Sequence, residues 1–165
     1  MNIKKDLARM TMQEARLRFQ DFNADTAWKL GNRLKTNAEA RGAAVTIEIR
    51  VGKETVFFFA MHGVNPGNAD WARRKRNVVE LLWRSSYAVG LSLQDEASTL
   101  EAKLGLPTRD YAAHGGSFPI HVDGAGIIGT VTVSGLPQRD DHAMLVEELA
   151  AMCGVPLSEV ALTPV

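Results

Sequence analysis

Val45-Thr46-Ile47-Glu48-Ile49-Arg50-Val51, then Gly52-Lys53, then Thr55 to Met61 (TVFFFAM), is the stretch on which the fold turns. Apolar Val45, Ile47, Ile49 and Val51 alternate strictly with Thr46, Glu48 and Arg50. Successive side chains of a strand point to opposite faces, so this run is a strand with one buried face. Gly52-Lys53 is a short turn, which makes Thr55 to Met61 the returning arm of a hairpin. A second alternation, Phe118, Ile120 and Val122, leads through Asp123-Gly124-Ala125-Gly126 into Ile127 to Ser134 (IIGTVTVS), a second hairpin.

Outward from the hairpins the spacing becomes helical. Gln13 to Phe19 reads as a short helix with Leu17 as an apolar position. Asp25 is placed to cap a helix carrying Ala27, Leu30, Leu34 and Ala38, with Gly42 as its stop. After the break at Asn65-Pro66-Gly67-Asn68, the spacing of Trp71, Val78, Leu82, Ser86 and Val89 predicts one long helix ending near Gly90. Leu93 to Leu104 predicts another, closed by Gly105 and Pro107. Asp140 or Asp141 caps a last helix with Leu145, Leu149 and Met152 inward, ended by Gly154 and Pro156. This order predicts an α+β fold: a mostly antiparallel sheet covered by helices, as in a profilin-like sandwich. The chain has 165 residues and shows no repeat, low-complexity tract or linker, so one domain over 1–165 is expected, with 1–20 as a helical extension.

Composition excludes several function classes. Lys+Arg and Asp+Glu are both 19, leaving no basic excess for binding nucleic acid or an anionic membrane. No segment approaches the roughly 18 apolar residues of a membrane helix. Lys4, Lys5 and Arg9 are followed by no apolar run, so no secretory signal is read and the cytoplasm is the expected location. The lone Cys153 excludes a disulfide framework and a cysteine-rich zinc site, and its place near a helix end reads as core.

Two polar stretches could carry chemistry. His114-Gly115-Gly116-Ser117-Phe118-Pro119-Ile120 enters one strand, and Ser134-Gly135-Leu136-Pro137-Gln138 leaves another just before Asp141-His142. Paired glycines bare their amides to a ligand, and the helix start after Gly135 favours anions. Read alone, each motif is ordinary turn and cap material. Together, at the ends of two paired strands, they predict a shared polar pocket. His62, His114, His121 and His142 show no metal-ligand spacing, so no metal site is expected; His114 and then His142 are the candidates to titrate or touch a ligand. Arg73-Arg74-Lys75-Arg76 fans around a helix and reads as a solvated or oligomer-contact face, with Glu80 placed to pair with Arg76. Lys75 falls on the apolar stripe of Trp71, Val78 and Leu82, where a cation needs a partner. Ser85-Ser86 reads as a small-residue packing contact.

The ordered set Asn68-Ala69-Asp70-Trp71, Arg74-Lys75, Ser85-Ser86, His114 to Ile120, Val133 to Gln138 and Asp141-His142 resembles an uncharacterised family of small cytosolic proteins related to the GlcG/HbpS-like, haem-degrading-domain proteins. The resemblance spans about Phe19 to Leu149. It implies a profilin-like domain, a homo-oligomer, and either haem or a small metabolite as ligand. The expectation that follows is a ligand-binding domain whose pocket combines His114, Gly115, Gly116, Ser134, Gly135, Asp141 and His142 with Lys75 or Arg74. A non-enzymatic scaffold and a haem-degrading enzyme are the alternatives.

Overall fold

The computed structural model describes residues 2–163. Its elements are α1 (Ile3–Arg16), β1 (Arg18–Phe19), α2 (Ala24–Ala40), β2 (Thr46–Val51), β3 (Glu54–Ala60), α3 (Pro66–Leu82), α4 (Ser86–Asp95), α5 (Leu100–Leu104), β4 (Ser117–Val122), β5 (Gly126–Ser134), α6 (Gln138–Cys153) and α7 (Leu157–Val160). The five strands form one sheet in the order β1-β4-β5-β2-β3. Both hairpins are present, and β5 joins them by pairing antiparallel with β2. Only β1 runs parallel to its neighbour, Arg18 opposite His121 and Phe19 opposite Val122. The fold is α+β, as the alternation predicts.

Alternation gives the sheet two unlike faces. Val45, Ile47, Ile49, Phe118, Ile120, Val131 and Val133 join Leu30 and Leu34 of α2 and Leu145 and Leu149 of α6 in one buried apolar core. The residues between them, Thr46, Glu48, Ser117, Thr130, Thr132 and Ser134, are also buried, and that face lies under α3. A buried polar face must be satisfied by bonding rather than by dispersion. Accordingly, Arg76 of α3 holds both Glu48 carboxylate oxygens at 2.8 Å, and the Ser117 and Thr132 hydroxyls meet at 2.7 Å.

Five local expectations change. Leu93 to Leu104 is not one helix: α4 ends at Asp95, and Thr99 caps a separate α5 over Leu100–Leu104. The first helix spans Ile3–Arg16 rather than starting at Gln13, because Met10 builds a second core with Tyr87, Ala88 and Leu91 of α4. Asn23, not Asp25, caps α2, exchanging bonds with Thr26 in a capping box. The long helix is two helices: Trp83 adopts left-handed φ 54° at the end of α3, and the Ser85 side chain accepts from Ala88 N–H to start α4. Ser85 is thus a cap, while Ser86 accepts from Ser117 N–H at 3.0 Å and ties α4 to β4. Lastly, α6 begins at Gln138, so neither Asp140 nor Asp141 caps it, and the Asp141 carboxylate is free for other bonds.

Candidate active-site cleft

The amino end of α3, the loop after β5 and the chain before β4 converge on a cleft of about 260 Å³. Lys75 and Asp141 form its floor. Both are buried, and Lys75 Nζ donates to Asp141 Oδ2 at 2.8 Å and to the Val133 carbonyl at 3.2 Å. The anomaly of a lysine on an apolar stripe is thereby resolved by its partner. Asp141 also accepts from Leu136 N–H at 3.0 Å and Gly135 N–H at 3.4 Å, so it shapes the loop as well as holding the cation. Burial drives Lys75 below the ordinary lysine range and Asp141 above the ordinary carboxylate range, and in each case the partner's charge opposes the shift.

Two glycines let these elements meet. Gly116 has φ +122°, and a Cβ there would lie 2.7 Å from Lys75 Nζ. Any other residue would both strain the backbone and displace the ammonium. A Cβ on Gly115 would collide with the Gln138 carbonyl, at the start of α6. Instead, Gly115 N–H donates to Gln138 Oε1 at 3.2 Å. These glycines therefore act as close-approach positions behind the cleft rather than as its lining.

The walls are aromatic and amide. Trp71, one helical turn before Lys75, meets the His114 ring edge-on at 5.1 Å between centroids. The Arg74 guanidinium stacks on Trp71 at 3.9 Å. His114 stands at the mouth, where its partial burial, and then the charges of Lys75 and Arg74, hold it below the usual histidine range. Asn68 donates to the Ser134 carbonyl at 3.3 Å. Of the residues expected at the pocket, His114, Ser134, Gly135, Asp141 and Lys75 line this cleft together, and Arg74 backs its tryptophan.

His142 goes elsewhere. Helical geometry turns it about 100° from Asp141, into the protein. It is fully buried, its Nε2 paired with Gln13 Oε1 at 2.8 Å, and burial pushes it down to about 3. It stays neutral and away from the cleft at ordinary pH. Asn68, Trp71 and Gln138 line the cleft without having been singled out as site residues. The spacing of Trp71 and Lys75, four residues apart on one helix, is the signal that could have found the first wall.

The basic run has acidic partners throughout. Arg73 contacts Asp70 and Asp110, Arg74 contacts Asp70, and Arg76 contacts Glu48 and Glu80. It is a set of intramolecular ion pairs rather than an unpaired cationic face. Cys153 is half-buried against the main core, and burial raises its thiol to about 11. Among the described residues, no three His, Cys, Asp or Glu side chains converge as a metal site. No described helix is long and apolar enough to cross a membrane.

A helix-covered five-stranded sheet with this cleft defines an α+β domain carrying a polar cleft beside its sheet. Residues 22–150 match the family model described as haem degrading protein HbpS-like, and the chain belongs to that family. Within it, the chain is 58% identical over 162 residues to a UPF0303 protein of Azotobacter vinelandii, covering 98% of both. Among solved structures it is similar to the Ybr137w protein, with a TM-score of 0.84 and 26% identity over 90% of this chain and 87% of that one. It shares its fold with the PduOC:heme complex, with a TM-score of 0.66 and 17% identity over 81% of this chain and 94% of that one.

Proposed function

We propose that the protein is an oligomeric ligand-binding domain whose cleft takes a small anionic metabolite. The observation that carries this reading is a buried lysine at the floor of an open cleft. An ammonium has three N–H donors. Lys75 spends two on Asp141 and Val133, and its third has no partner among the described residues. A ligand carboxylate would accept that bond, with His114, Ser134 and the Gln138 amide as further polar contacts and Trp71 as the apolar wall.

Haem is the second reading, supported by the family description and by the haem complex among the similar structures. The cleft does not enclose such a group. Its volume of about 260 Å³ lies below the roughly 300–1,000 Å³ of sites that bury drug-sized ligands. His114 is the only histidine lining it, so it is the candidate iron ligand if a second subunit completes the site.

Replacing His114 with Ala tests the cleft directly. The variant is expected to bind the ligand at least tenfold more weakly, about 1.4 kcal/mol, with an unchanged melting temperature. An unchanged titration curve would remove His114 from the site.

A further inference from the structure

We propose that Lys75 is a reactive amine that condenses with a small oxo compound, an aldehyde or an α-keto acid, entering the cleft. The inference rests on the cleft being the ligand site and names the chemical class of its ligand. Lys75 is the only lysine whose side chain is buried; Lys4, Lys5, Lys29, Lys53 and Lys103 are exposed and Lys35 is half-buried. Its Nζ is fixed from two sides, by Asp141 and by the Val133 carbonyl, and the missing side chain of Gly116 is what lets the ammonium pack there against the backbone. A floppy surface lysine has none of these constraints. Lys75 lines the cleft, so a carbonyl carbon there is attacked once rotation about Cε–Nζ turns toward it the lone pair that the departing proton leaves facing Asp141.

Asp141 supplies the proton handling. A protonated amine has no lone pair to attack with, so a proton must first leave it. The Asp141 oxygen at 2.8 Å is the acceptor, and the shared burial of the pair disfavours both charges and so favours that transfer. The neutral amine then adds to the carbonyl carbon, forming the C–N bond as the C=O π electrons move to oxygen. A proton passes from nitrogen to that oxygen, Asp141 returns its own, and the oxygen leaves as water. The balance is ammonium plus carbonyl giving iminium plus water. One positive charge enters and one remains, so the iminium stays opposite the Asp141 carboxylate, and no buried charge is stranded. The step needs no oxidant, reductant or metal.

Size is consistent with this class. A water molecule occupies about 30 Å³ of liquid, so a cleft of about 260 Å³ holds an organic molecule of a few carbons. The polar wall of His114, Ser134 and Gln138 suits the carboxylate of an α-keto acid, and Trp71 suits its short apolar part.

The test is reductive trapping on the full-length protein. Pyruvate and glyoxylate, in separate samples, are incubated with the protein and cyanoborohydride near neutral pH, and the adducts are mapped by peptide mass spectrometry. The exposed lysines serve as internal standards in the same molecule. Lys75 is expected to label at least about tenfold faster than they do, a modest gain for an amine held in place beside its reactant. Lys75→Arg keeps a cation opposite Asp141 and removes the nucleophile; its adduct should vanish while its circular dichroism is unchanged. The wild-type map stands even if that variant fails to fold. Labelling confined to the exposed lysines overturns the inference. If either acid still raises the melting temperature in the absence of reductant, the cleft remains a binding site and only the reactive amine fails. If neither acid shifts it and Lys75 stays unlabelled, the oxo-compound assignment fails with it.

Discussion

At the scale of single residues, the Lys75–Asp141 pair and His142 make opposite uses of burial. The pair holds two charges inside the protein, and removing one partner strands the other. Asp141→Ala is expected to destabilise the fold by about 3–5 kcal/mol in urea denaturation. The double change Lys75→Met with Asp141→Leu should cost much less, because no charge is then left alone. Equal losses in the two proteins would show that the pair is not the source. His142 is instead buried uncharged, with its value pushed from 6.5 to about 3. Between those values the unfolded chain binds a proton that the folded chain refuses, so stability rises with pH through this window and falls on acidification. The full effect is on the order of 4–5 kcal/mol. About 3–4 kcal/mol of it falls between pH 7 and pH 4, where it is read as the change in urea midpoint, and His142→Gln should flatten that slope relative to the parent. Cys153, raised to about 11, should react slowly with a thiol reagent at pH 7, with the rate increasing on partial unfolding.

At the scale of elements, the cleft depends on how closely α3, α4 and α6 approach the loops beside them. Gly115→Ala places a methyl against the Gln138 carbonyl and should destabilise the protein by about 1–3 kcal/mol while weakening ligand binding, measured by thermal melting and titration together. A melting temperature equal to the parent's would mean that α6 shifts freely. Both hairpins and the apolar stripe of α2 were legible in the sequence because strict two-residue and helical periodicities report one buried face each. Three features were not. The break at Trp83 has no glycine to announce it, since an aromatic residue takes the left-handed conformation there. The polar face beneath α3 reads as a solvated face, because Thr46, Glu48 and Thr132 look the same whether they meet water or Arg76 and Ser117. And α1 packs on α4 through Ile3, Leu7 and Met10 at helical spacing, a stripe masked in the sequence by the charged residues Lys4, Lys5, Asp6 and Arg9 between them.

At the scale of the whole molecule, the site was legible as a set of residue types but only partly as a place. His114, Ser134, Gly135, Asp141 and Lys75 lie far apart in the chain, and only the pairing of β4 with β5 and the crossing of α3 bring them together. His142 was misplaced for a local reason: the next residue on a helix is turned about 100°, and here that turn takes His142 into the interior against Gln13 while Asp141 faces the cleft. As a binding site, this cleft is expected to hold a ligand in the working protein. Native mass spectrometry of protein purified gently from its own host, without added cofactor, tests it most directly. A homo-oligomer carrying one reproducible small mass per subunit, lost in the His114→Ala variant, is the expected result. A clean apo oligomer, or an added mass that His114→Ala retains in full, would contradict it.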